Sequence, residues 1–326
     1  MRAIRVESLS EDLSGVSLAD VPAPQRKPGE ALVRVHAASL NFPDLLMTKG
    51  KYQFKPDLPF ISGLECAGEV IECDPDSGFA PGDRVMGGHK TGAFAQVASL
   101  PSKGLSPVPA NFSFAQGAAM GAAYSTAYTG LVELGGLQKG QSALVTGASG
   151  GVGLAAIDLA NALGATTLAA TGVETKASSI RRLASPDHVL VSEGRFREGV
   201  AEITQGRLCD IVFDNVGGDV FDECTRCVSF SGKLVVCGFT SGRIPQITTN
   251  IPLIKGFSIV GLRAGEYARR FPQRGQAIRT AIRDLAEAGA ITPAVSEILP
   301  LSKWRQGFEA MARRELVGKL VFDPTR

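Results

Sequence analysis

The sequence predicts a mixed α/β protein in two parts, a doubly wound parallel sheet joined to a β-rich companion. Three observations predict this. A glycine-rich turn, Gly147-Ala-Ser-Gly150-Gly151-Val152-Gly153, follows an apolar run at 142–146 and opens a helical pattern at 152–163. Across 121–261, short apolar runs alternate with helical patterns, the rhythm of strands linked by crossover helices. The residues before that span alternate apolar and polar with period two, as half-buried strands do.

Taken in order, Met1 to Glu7 reads as a first strand, and 30–38, 66–73 and 93–98 as further ones. Turn signals at Lys27-Pro28-Gly29, Ala80-Pro-Gly-Asp83 and Gly87-Gly88 separate them. In the alternating region, strands are expected at 142–146, 166–171, 188–191, 210–214, 233–237 and 257–260. Helices are expected at 152–163, 175–184, 196–204 and 220–228. Right-handed crossovers then favour the doubly wound topology. Amphipathic helices at 277–288 and 303–314 precede a final strand at 317–322, so the chain is expected to return to its first domain. The expected division is 1–120 with 265–326, and 121–264 between.

A chain of 326 residues, 44% hydrophobic and carrying a net charge of +2, has room for two domains. The charge balance offers nothing to a nucleic acid or an acidic partner. No apolar run is long enough to span a bilayer, and the N-terminus reads as a strand rather than a signal peptide, so a cytoplasmic location is the expectation. Six scattered cysteines are no disulfide framework. Cys224-Thr-Arg-Cys227 lacks a second pair at zinc-ribbon spacing. Its cysteines read as small apolar fillers of a helix flank, with redox or metal roles as the alternatives.

The order strand, glycine turn, helix is what a dinucleotide site needs. The first glycine permits the tight turn, the next lets backbone approach a pyrophosphate, and the last lets the helix pack close to the sheet. The N–H groups opening the helix attract phosphate. Gly147, Ser149, Gly150, Gly151, Val152 and Gly153 are therefore candidate cofactor contacts. Asn215 follows the strand expected at 210–214, and Gly238 and Phe239 follow the next one. Both positions lie at the carboxyl edge where open α/β sheets bind ligands.

An ordered series of short motifs runs over nearly the whole chain. It comprises Asn41-Phe-Pro-Asp44, Gly50-Lys-Tyr52, Leu58-Pro59, Gly63-Leu-Glu65 and Ala67-Gly68. Gly82-Asp-Arg-Val85, Gly92-Ala-Phe-Ala95, Thr126-Ala-Tyr128, the glycine turn, Asp214-Asn-Val-Gly-Gly218 and Gly318-Lys319 follow. In this series the chain resembles the medium-chain dehydrogenase/reductase superfamily, in its zinc-independent quinone oxidoreductase branch. The resemblance implies a Rossmann domain, a GroES-like catalytic domain and hydride transfer from a nicotinamide. In zinc-dependent members a metal-binding cysteine stands where this chain has Asn41, and Gly-His-Glu reads Gly63-Leu64-Glu65 here, so no metal is expected.

The resemblance also points to individual residues. NADPH is favoured over NADH because the second Rossmann strand ends at Thr171-Gly172 without an immediate acid, although Glu174 follows. In the family, a lysine at the place of Lys176 meets the 2′-phosphate; read alone, it is a solvated helix-start lysine. Ser192 stands where the family often has a tyrosine, with Arg195 or Arg197 as substitutes. Tyr52 is the expected hydrogen-bond donor to the reduced substrate, or else a phenol lining the site. Asn41 would orient substrate or nicotinamide, or serve only as a turn residue. Asp44 would fix its loop by hydrogen bonds. Thr126 would face the nicotinamide, or bond its own helix backbone. Arg263 and Lys319 are weaker candidates for phosphate or substrate contact.

The expected activity is zinc-free reduction of quinones or α,β-unsaturated carbonyl compounds by NADPH. The alternatives are an enoyl-thioester reductase and a non-catalytic NADPH-binding protein. The partners expected are a small-molecule substrate and a second copy of the chain, paired through the edge strand at 257–261.

Overall fold

In the computed structural model, which describes residues 1–192 and 195–326, the chain forms two compact units. The first comprises Met1–Gly121 with Val295–Arg326, and the second Ala122–Ala294.

The first unit is built on the long strand Glu30–Ser39, whose side chains alternate between core and surface over most of its length. It pairs antiparallel with Glu65–Glu72, Val97–Pro101 and Lys319–Asp323, so the last strand of the chain closes a sheet begun by the first third. Arg2–Val6, Val16–Asp20 and Phe60–Ile61 make a separate small sheet. Phe94, Phe308 and Phe322 interlock between them, Phe94 meeting Phe322 edge-on at 5.2 Å. The strand expected at 93–98 begins only at Val97. Residues 92–94 instead hydrogen-bond to Ile61, Ser62, Gly63 and Ile4, and Ala93 and Phe94 are both fully buried. Their continuous burial contradicts the period-two reading.

The second unit is a six-stranded sheet, parallel throughout. Its order is His188–Val191, Thr166–Thr171, Ser142–Val145, Cys209–Asp214, Val228–Val236 and Ser258–Gly261. This is the doubly wound order with its switch point beside the first strand, Ser142–Val145. The expected helix at 220–228 ends at Cys224, and Val228 already belongs to the next strand. Cys227 is held in that turn because its carbonyl accepts from the Cys209 N–H at 2.8 Å. The Cys224 and Cys227 thiols are both buried and pushed well up from their ordinary range by desolvation, as inert fillers would be.

The expected return at 265 comes at Val295 instead. Helices Ala264–Arg270 and Pro272–Glu287 pack on each other, and Tyr267 and Arg274 both bond Glu133 in the π-helical turn Thr129–Leu134. These contacts keep residues 265–294 with the second unit. The two crossings between units share one anchor within it. The Tyr124 hydroxyl donates to Asp158 Oδ2 at 2.5 Å, and the Thr292 N–H donates to the same oxygen at 2.8 Å. No helix among the described residues is long and apolar enough to cross a membrane.

Candidate active site

The glycine turn follows the buried strand Ser142–Val145 and is shaped by three different demands. Gly147 has φ +57°, a left-handed conformation suited to glycine. Gly150 is the N-cap of the helix Gly151–Ala162 and has almost no neighbours; an added Cβ there would meet only the Gly147 carbonyl oxygen, at 3.5 Å. Gly153 is the opposite case. A Cβ there would lie 2.4 Å from the Gly147 oxygen and 2.8 Å from Ala148 Cα. The turn thus places open backbone at a helix N-terminus, with Ser149 buried behind it.

Asp214 ties this turn to the loop after the fourth strand. It is fully buried and accepts from Thr146 Oγ1 at 2.6 Å, from the Val216 N–H at 2.9 Å and from the Gly217 N–H at 3.1 Å. Burial raises its carboxyl from the usual range, and these bonds pull it back. Asn215 Nδ2 donates to the Thr146 carbonyl at 2.9 Å, so its amide braces the strand end. Gly238 donates its N–H to the Asp214 carbonyl at 3.3 Å, and the partly exposed Phe239 ring packs over Gly217. Sequence reasoning brought Asn215, Gly238 and Phe239 to this sheet edge, and the structure places them together there.

At the end of the second strand, Thr171 accepts from the Ser192 N–H at 2.9 Å, and Ser192 Oγ accepts from the Arg195 N–H at 2.9 Å. Thr171, Ser192 and Arg195 therefore share one edge. Lys176 lies in the first turn of the adjoining helix Glu174–Ala184. Glu174, the acid that complicates the cofactor choice, is paired with Arg181 at 2.7 Å. Arg263 caps the helix after the sixth strand, with its side chain exposed. Thr126 Oγ1 donates to the Ala122 carbonyl at 2.7 Å, the ordinary bond of a helix threonine.

In the first unit, Tyr52 packs against the core through its ring, and its hydroxyl has no hydrogen-bond partner among the described residues. Asn41 and Lys319 need correction. Asn41 is buried, and Nδ2 donates both to the Ser39 carbonyl at 3.1 Å and to Glu65 Oε1 at 2.9 Å. Both amide protons are committed, so none is left to orient a substrate. Lys319 is not a surface cation awaiting phosphate. Its ammonium is buried and donates to Asn41 Oδ1 at 2.6 Å and to Glu65 Oε1 at 3.0 Å. Asp44 fixes the loop by accepting the Asn41 N–H at 2.8 Å, and its desolvated carboxyl is pushed up to about 8. Glu65 is the residue that sequence reading missed as a partner in this cluster; it passed only as part of a motif.

Residues 27–110 match the family described as the alcohol dehydrogenase GroES-like domain, and 151–280 the one described as zinc-binding dehydrogenase. A Nematostella vectensis protein named quinone oxidoreductase-like protein 2 homolog is 36% identical over 89% of this chain and 80% of its own. The chain belongs to the quinone oxidoreductase branch of the medium-chain dehydrogenase/reductase superfamily. A probable oxidoreductase from Mycobacterium abscessus superposes with a TM-score of 0.91, at 32% identity and 99% coverage of both chains. A mycobacterial protein solved in complex with NADPH superposes with a TM-score of 0.90, at 27% identity, over 99% of this chain and all of that one.

The second family description raises the question of zinc. Among the described residues, no group of three His, Cys, Asp or Glu side chains is placed to hold a metal. Asn41 and Leu64 stand where zinc-dependent members carry ligands, and the Lys319 ammonium lies between Asn41 Oδ1 and Glu65 Oε1. A cation among oxygen donors does not fit a zinc site built of sulfur and nitrogen.

Proposed function

We propose that this chain is an NADPH-dependent oxidoreductase that reduces quinones or other activated, α,β-unsaturated carbonyl acceptors without zinc. The glycine turn carries this reading. Gly147 makes the bend, Gly153 brings the helix in, and Gly150 leaves backbone open to a pyrophosphate. The absence of an acid at Thr171-Gly172, the pairing of Glu174 with Arg181, and Lys176 and Arg195 beside that strand end favour the phosphorylated nucleotide. The NADPH complex of the mycobacterial relative supports the same choice.

NADPH, when bound, supplies the hydride. Reduction of an enone or a quinone places negative charge on the acceptor oxygen. The Tyr52 hydroxyl, uncommitted to any described residue, donates a hydrogen bond to that oxygen. Tyr52→Phe is expected to lower kcat by on the order of a hundredfold while leaving the KM for NADPH unchanged. NADPH oxidation followed across a panel of quinones, enones and enoyl thioesters checks this. An unchanged rate on every substrate removes Tyr52 from the mechanism. Nucleotide binding without oxidation on any substrate turns the reading to a binding protein.

The second copy is assigned to the sheet edge at Ser258–Gly261. Around it cluster exposed apolar side chains, among them Phe230 at 81%, Leu253 at 80% and Ile254 at 74% relative exposure. An unpaired edge beside such a patch favours pairing with its own copy. The chain is expected to be a dimer by light scattering, and Leu253→Glu with Ile254→Glu a monomer. A wild-type monomer at working concentration contradicts this.

A further inference from the structure

Lys319 opens the closing strand Lys319–Asp323, which lies beside Ser39 in the first sheet; the Leu40 N–H bonds the Leu320 carbonyl at 2.9 Å. This placement brings its ammonium to three oxygens: Asn41 Oδ1 at 2.6 Å, Glu65 Oε1 at 3.0 Å and the Leu40 carbonyl at 3.4 Å. An ammonium has three protons, and each has an acceptor here. The side chains of Lys319 and Glu65 are only 7% and 8% exposed. A carboxylate so deeply buried requires a compensating charge. The Lys319 ammonium, 3.0 Å from Glu65 Oε1, supplies a cation in direct contact with it.

We infer that the Lys319 ammonium is a resident cation in an all-oxygen cage, and that shortening this side chain opens a site for a hard divalent cation. The cage offers a carboxylate, a side-chain amide oxygen and a main-chain carbonyl. This donor set suits magnesium or manganese rather than zinc. The wild-type chain supplies its own charge at this place in the fold and leaves no room for a metal. The inference concerns the first unit alone and does not depend on the identity of the nucleotide.

Manganese(II) titrated into the full-length chain, with free metal read by electron paramagnetic resonance, tests it. Lys319→Ala is expected to bind one manganese ion per chain and to melt at a higher temperature with it. Wild type and the double variant Glu65→Gln, Lys319→Ala are expected to bind none. A folded Lys319→Ala that takes up no manganese overturns the inference. Lys319→Met keeps the stem in the cage without the charge, and is expected to melt roughly 5–10 °C below wild type. Adding Glu65→Gln to Lys319→Met is expected to restore most of that loss, because no uncompensated charge remains. A double variant no more stable than Lys319→Met overturns the inference even where the alanine variant fails to fold.

Discussion

Gly153→Val is expected to abolish measurable nucleotide retention and to destabilise the chain, whereas Gly150→Ala, three residues earlier in the same turn, is expected to fold like wild type. The contrast follows from what surrounds each α-carbon. At Gly153 the first added carbon falls 2.4 Å from the Gly147 carbonyl oxygen and within 3 Å of Ala148 backbone atoms. None of these is the movable end of a side chain. The helix must back away from the turn, or the turn must open. Overpacking of this kind costs about 1–3 kcal/mol or more in stability. The same displacement removes the helix N-terminus from the phosphate position, and each ~1.4 kcal/mol lost there weakens binding tenfold. At Gly150 the added carbon meets one atom at 3.5 Å, and φ is −76°, which any residue adopts. Gly150→Ala is therefore expected to raise the KM for NADPH with the melting temperature unchanged. Thermal melting and nucleotide titration of both variants check the pair. Equal effects on folding contradict the division of labour.

Stability is expected to fall as pH rises from about 4 to about 8, with Asp44 a principal cause. Its carboxyl is fully buried, its Oδ1 has no partner among the described residues, and desolvation raises it from 3.8 to about 8. Between those values the folded chain holds a proton that the unfolded chain has released. The contribution is whole below the ordinary carboxyl range and is lost as pH climbs through the folded value. One such proton gives a slope of ~1.4 kcal/mol per pH unit. Asp158 and Asp214, also raised by burial, tilt the profile the same way. Asp44→Asn keeps an oxygen for the Asn41 N–H but has no proton to lose. Its stability relative to wild type is expected to improve by several kcal/mol between pH 5 and pH 8. Urea unfolding at each pH gives that difference, and a constant gap would show that Asp44 does not titrate in this window.

The parts of this protein fixed by neighbours in the chain could be read from its sequence. Glycine at 147 and 153 is demanded by a turn seven residues long, and the structure shows a separate reason for each, a left-handed φ at the first and close backbone at the second. The parallel sheet follows from short apolar runs and the handedness of crossovers. What sequence alone did not reveal depends on distant partners. Lys319 meets Glu65 across 254 positions and Asn41 across 278, and no period or motif announces either pairing. The helix Pro272–Glu287 shows its apolar face in Ile278, Ile282 and Ala286, but amphipathicity does not say which unit covers that face. The sequence offers Thr126 as a nicotinamide-facing residue or a helix threonine bonding its own backbone, and its bond to the Ala122 carbonyl is visible only in the structure.

Asp158 has a consequence for how such a chain can be assembled or re-engineered. Residues 124 and 292 converge on one carboxylate oxygen, so the nucleotide-binding stretch begins and ends at the same spot. A segment with adjoining ends can be spliced into a surface loop without stretching its recipient. Residues 122–294 are built as a cassette, latched shut by a tyrosine at one end and a backbone amide at the other.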